Sequence, residues 1–148
     1  MQNALRTYVQ LKRALSHAHA HALRPLGLGP LQAAIIRTLD EEGPCSSARL
    51  ARATVSDPAA VNRALAGLLA KGLLRRQPHP SDGRSSSLAL SPRAGRALAD
   101  KVAALRLGLE RELLAGLPRG DRARFVKDLE RIAAYLHALN ARRQLNED

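Results

Sequence analysis

At 148 residues the chain fits one domain of ordinary size and is too short for two independent cores with a linker. It carries 24 Lys and Arg against 13 Asp and Glu, a net charge of +11, while 45% of its residues are hydrophobic and only Tyr8, Phe125 and Tyr135 are aromatic. That much apolar content excludes a disordered basic tail. No run approaches 18 uncharged apolar residues, so no membrane span is expected. The single cysteine, Cys45, excludes a disulfide framework. The N-terminus lacks an apolar signal core, and the compartment expected is the cytoplasm.

The charge is concentrated. Residues 1–42 carry a net charge of +2, residues 43–99 carry +7 and residues 100–148 carry +2. A positive field focused on the middle third attracts a polyanion, and nucleic acid is the leading candidate.

In chain order, Ala4, Tyr8, Leu11, Leu15, Ala18 and Ala22 alternate by four and three and predict a first helix over 4–23. It is expected to end at Arg24-Pro25, because a residue before proline is disfavoured in the helical region. After Gly27, Gly29 and Pro30 a second helix turns Leu31, Ile35 and Leu39 inward and closes near Gly43-Pro44. Ser46 and Ser47 are good N-caps for a short third helix ending around Thr54. Asp57-Pro58 opens a fourth: the carboxylate accepts from an orphan N–H, and proline has none to waste. Val61, Leu65 and Leu68 form its buried face.

Leu73 to Gln77 and Ser86 to Leu90 are extended in pattern and flank a stretch dense in turn formers, which predicts a hairpin. Ser91-Pro92 repeats the cap-plus-proline signal before a long helix striped by Leu98, Val102, Leu105 and Leu109. Beyond Pro118 and Gly120, Asp121 is expected to cap a last helix striped by Phe125, Leu129, Ile132, Leu136 and Leu139. A short helix, a turn, a capped helix and a hairpin describe a winged helix-turn-helix, so the fold class is mainly α with a small β wing. The most basic stretch coincides with that module.

Turned 100° per residue from Val61, the side chains of Ala59, Asn62, Arg63, Ala66 and Ala70 fall opposite the buried face of the fourth helix, at about 100–200°. Small residues let a helix sink into a major groove, where Ala meets a thymine methyl, Asn62 pairs with adenine and Arg63 with guanine or a phosphate. At the hairpin tip, Asp82 can hold the Arg84 guanidinium in advance, so that less freedom is lost on meeting a minor groove or phosphate. Ser46 and Ser47 offer hydroxyls and helix N–H groups to a phosphate, although capping alone explains them.

The run Leu68-Leu69-Ala70-Lys71-Gly72-Leu73-Leu74-Arg75-Arg76, then Asp82-Gly83-Arg84-Ser85, then Leu88-Ala89-Leu90-Ser91-Pro92-Arg93-Ala94-Gly95 resembles the MarR (multiple antibiotic resistance regulator) family. The likeness covers roughly residues 28–99 in sequence and the whole chain in element order. It implies one MarR-like domain over 1–148, with a winged DNA-binding region at 30–99 and dimerisation helices at 1–24 and 100–148. It also implies a homodimer on a palindromic duplex operator, repressing nearby genes until a small aromatic, anionic effector binds. Long apolar stripes on the terminal helices support the dimer on physical grounds, since one subunit offers little else to cover them. Two-fold symmetry would set the reading helices about 34 Å apart, one turn of DNA.

His17, His19 and His21 alternate with alanine in the first helix, and the i, i+4 pair His17/His21 can hold a metal, although nothing completes a site at recognised spacing. Alternatively Arg13, His17, His21 and Arg24 line an effector pocket and take a carboxylate. Cys45 lies before the third helix; some relatives of the resembled family sense peroxide through a cysteine nearer the first helix, and no second cysteine is present to resolve a disulfide. A metal- or redox-responsive regulator and a helical protein-interaction module therefore remain as alternatives. No phosphate loop, metal cluster or nucleophile elbow points to an enzyme, and no cofactor is expected.

Overall fold

A computed structural model describes residues 3–78 and 86–145. Among the described residues there are six α-helices: α1 (Ala4–Leu23), α2 (Pro30–Glu42), α3 (Ser47–Thr54), α4 (Pro58–Ala70), α5 (Ala94–Ala115) and α6 (Arg122–Leu145). Between α4 and α5 lie β1 (Leu74–Pro78) and β2 (Ser86–Leu90), an antiparallel pair registered from Leu74 opposite Leu90 to Pro78 opposite Ser86. The first strand sits one residue later than its apolar pattern suggests. The backbone groups into two compact units, residues 1–109 and 110–148.

The first unit has a closed core. Leu23 at the end of α1 and Leu28 beyond it, Ile35, Ile36 and Leu39 of α2, Leu50 of α3, Val61, Leu65 and Leu68 of α4, Leu74 and Leu88 of the hairpin, and Ala99 and Val102 of α5 are all buried in one cluster. Leu31 and Leu98, expected inside, only flank it. On α5 the buried positions are Gly95, Ala99 and Val102; of the predicted stripe only Val102 is fully buried, and Gly95 admits the close approach of the Leu73 carbonyl.

Local chemistry explains the boundaries. Asp57 accepts the Ala60 N–H at 3.0 Å and Ser46 Oγ accepts the Arg49 N–H at 3.2 Å, so both caps form as expected. The end of α1 differs from expectation. Arg24 keeps helical angles (φ −53°, ψ −47°), and the chain tightens into a 3-10 turn over Arg24–Leu26. Pro25 sits where a first-turn residue has no N–H bond to lose, and Gly27 at φ +65° closes the turn.

Helix α5 also begins later than its signal. Ser91 Oγ accepts the Gly95 N–H at 2.8 Å across a turn, and regular helix starts only at Ala94. The Leu73 carbonyl, which accepts the Ser91 N–H at 2.9 Å, lies so near Gly95 that a Cβ there would overlap it. The glycine is therefore a packing requirement between hairpin and helix. Asp121 does not cap α6 as expected; it ends a 3-10 turn, Arg119–Asp121, that runs straight into Arg122.

In the second unit, no residue of α6 is buried. Leu129, Ile132, Tyr135 and Leu136 are exposed, as are Leu5, Tyr8, Val9 and Leu11 on the first half of α1. Of the two terminal stripes, Tyr8 and Leu11 of α1 and Leu129, Ile132 and Leu136 of α6 are exposed, while Leu15, Ala18, Ala22, Phe125 and Leu139 are half-buried.

Candidate nucleic-acid interface

Helices α3 and α4 present one continuous surface. Burying Val61, Leu65 and Leu68 turns Ala59, Asn62, Arg63, Ala66 and Ala70 outward, and all five are exposed. Ser47, Ala48, Ala51 and Arg52 of α3, Val55 and Ser56 of the turn, and Pro58 and Asn62 of α4 line an open groove of 610 Å³. Its lining combines the apolar Ala48, Ala51, Val55 and Pro58 with the Arg52 guanidinium, the Asn62 amide and the Ser47 and Ser56 hydroxyls. Ser46 lies just outside, with its oxygen engaged as the α3 cap.

Asp57, whose carboxylate caps α4, adjoins this face, while the acidic side chains of α2 are engaged elsewhere. Three carboxylates crowd the last turn of α2, where the helix dipole disfavours them. Each is answered by arginine: Asp40 by Arg96, Glu41 by Arg106 at 2.8 Å and Arg37 at 3.4 Å, and Glu42 by a two-pronged contact from Arg49 at 2.9 Å. Arg49 is thus engaged in an intramolecular ion pair at the surface. Among the described residues Arg52 and Arg63 have no ion-pair partner, and Arg75 and Arg76 of β1 are exposed.

The hairpin is held by more than its own ladder. Cys45 exchanges backbone hydrogen bonds with Leu88, donating at 3.1 Å and accepting at 2.8 Å, and so acts as a one-residue third strand. Its thiol is half-buried; burial, then the Glu42 carboxylate, push its pKa up, and Arg49 pulls it down. A peroxide-sensing cysteine needs the reverse, a thiolate favoured at neutral pH.

Asp82 and Arg84, singled out at the wing tip, lie outside the described residues. Arg13, His17 and His21 are exposed on one side of α1 and Arg24 follows in the 3-10 turn, while His19 is half-buried. Among the described residues no group of three His, Cys, Asp or Glu side chains is gathered closely enough to hold a metal ion, and no helix is long and apolar enough to cross a membrane. Sequence reasoning missed Arg52 and Val55 on the groove. For Arg52 the signal was available, since it stands four residues after Ala48 on the same side of α3.

The chain resembles proteins whose names are consistent with this surface. The MarR family profile matches residues 26–85. The HTH-type transcriptional repressor Rv2887 of Mycobacterium tuberculosis is 34% identical over 113 residues, 76% of this chain and 81% of that protein. The chain belongs to the MarR family. A probable transcriptional regulator from Pseudomonas aeruginosa shares the fold with a TM-score of 0.74 at 30% identity, covering 88% of this chain and 97% of that one. Apo MarR from Escherichia coli gives a TM-score of 0.78 at 21% identity over 89% and 97% of the two chains. As a MarR-family member this is a transcriptional regulator with a winged helix fold, and the proteins it matches are regulators rather than enzymes.

Proposed function

We propose that this MarR-family regulator is a cytoplasmic homodimeric repressor that binds a palindromic operator in double-stranded DNA and releases it when a small aromatic carboxylate binds. The observation that carries this reading is the outer face of α4: three exposed alanines surround Asn62 and Arg63 on the most basic third of the chain. Such a face can approach base edges closely, with Arg63 suited to guanine or a phosphate and Asn62 to adenine. Ser46, Ser47 and the hairpin residues Asp82 and Arg84 complete the proposed contacts with the backbone and the minor groove. The segment 30–99 would be the reading module, and residues 1–24 with 100–148 would pair two copies through the apolar stripes left open on α1 and α6.

The effector is the finer part of the proposal. Arg13, His17, His21 and Arg24 supply cationic and hydrogen-bonding groups to a carboxylate. BpsR of Bordetella bronchiseptica, whose DNA binding is regulated by 6-hydroxynicotinic acid, shares the fold with a TM-score of 0.74 at 21% identity over 89% of this chain and 94% of that one. An effector acts only by its differential affinity for operator-competent and incompetent states.

The test is duplex binding at several salt concentrations. Affinity should fall steeply and linearly on logarithmic axes while a preference for one palindrome survives. Arg63→Ala should weaken operator binding by about 1–3 kcal/mol and relax base choice at one position, with the dimer mass unchanged. Equal binding to mixed-sequence duplex would remove the regulator-of-a-chosen-site reading.

A further inference from the structure

Between α3 and α4 the chain breaks two local rules at one residue. Val55 has φ 50° and ψ 48°, the left-handed region, and is the sole non-glycine at positive φ among the described residues. This is a position for glycine or asparagine, and a β-branched side chain tolerates it worst. The same residue is 93% exposed, more than any other large apolar side chain among the described residues. Its backbone is well used, since its N–H bonds the Arg52 carbonyl at 3.2 Å and the Ser56 N–H bonds the Ala51 carbonyl at 3.0 Å. Glycine would make those bonds equally well. The isopropyl group, by contrast, gains nothing inside the chain. A residue that costs stability through both its conformation and its exposure points to a contact made outside the molecule.

The groove identifies the chemistry. Val55 lines it together with Ala48 and Pro58, which are apolar, and with Ser47, Arg52 and Asn62, which donate hydrogen bonds. Asn62 belongs also to the exposed face of α4, so the groove continues the surface assigned to base edges. In the major groove of DNA one apolar group is on offer, the C5-methyl of thymine, and phosphates flank it within reach of a neighbouring guanidinium. Resting on the DNA-binding reading above, we propose that Val55 is a specificity-determining residue that packs against the C5-methyl group of one thymine in each operator half-site, with Arg52 meeting the adjacent phosphate.

Replacing thymine by deoxyuridine removes the methyl group and leaves every hydrogen-bonding atom in place, so it isolates this contact. The full-length protein would first be used to select its operator from random duplex, and each thymine would then be replaced in turn, with affinities read by fluorescence anisotropy. For the wild-type protein at least one position per half-site should lose about fourfold in affinity, the equivalent of a single buried methyl-sized group. Val55→Gly should flatten the loss at that position and leave the other positions as they were. Val55→Asn, which keeps the left-handed turn with a polar side chain, should do the same. Both variants relax the backbone, so their melting temperatures should hold or rise, which separates a lost contact from misfolding. Identical deoxyuridine profiles for wild type and Val55→Gly would overturn the role of Val55 while leaving operator binding intact. Failure of the wild-type protein to select any duplex would overturn the DNA-binding reading itself, and this inference with it.

Discussion

Residues 23–102 and helix α6 are built from the same materials and end differently. Both carry apolar side chains at helical spacing, yet the first stretch seals Leu23, Ile35, Leu50, Leu65 and Leu88 out of water and the second buries nothing. On α6 Ile132 is 57% exposed and Leu136 47% exposed. Periodicity reports that a helix has an apolar face; it is silent on whether the cover comes from the same chain. In the first stretch the cover is internal, because hairpin and helices close on one another. On α6 the cover would come from a second copy, as proposed above for the dimer.

The strongest way to break that contrast is to charge the open stripe. Ile132→Asp combined with Leu136→Asp replaces two exposed side chains, a change worth no more than about 0.5 kcal/mol each on a surface that stays wet. Buried at an interface, the same carboxylates would be desolvated without partners, at a cost of several kcal/mol. The expected result is a fall in light-scattering mass from two chains to one, with operator affinity at least ~100-fold weaker. A double variant that keeps the wild-type mass would mean that α6 is not the dimer seam.

A core substitution sharpens the other side. Leu65 is buried on α4, directly behind the face that carries Asn62 and Arg63. Leu65→Ala should lower unfolding stability by about 2–5 kcal/mol in a urea titration. Leu129→Ala, made in the charged α6 variant so that no partner is present, should change it by less than about 0.5 kcal/mol. Similar losses at both positions would mean that the stripe has an intramolecular partner after all.

The contrast also marks what could be read in advance. The caps at Ser46 and Asp57, the outer face of α4 and the hairpin followed from short-range chemistry, which acts within four residues along the chain. The features missed depend on contacts between distant segments. Gly95 reads as an indifferent helix residue until the Leu73 carbonyl is placed against it. Cys45 reads as a loop thiol until its backbone meets Leu88. Arg49 and Arg52 look interchangeable in sequence, and only the position of Glu42 commits the first to the fold and leaves the second on the groove. Val55 is the local exception, since a valine gives no hint that its backbone is left-handed.

The smallest effect is at Cys45. Its pKa is raised, chiefly by burial and then by Glu42, so the folded state favours the neutral thiol more than the unfolded chain does. The sign follows by linkage: this contribution to stability is fully present below the ordinary thiol pKa and is lost as pH rises through the raised one. Alkylation by iodoacetamide should therefore show a midpoint on the alkaline side of an unstructured cysteine, and Cys45→Ala should remove that part of the alkaline destabilisation. Arg49 opposes the shift, so Arg49→Gln should move the midpoint further up, in step with the loss of its contact to Glu42. A midpoint below that of a free thiol would instead mark Cys45 as an activated thiolate, and would return redox control to the functions this fold performs.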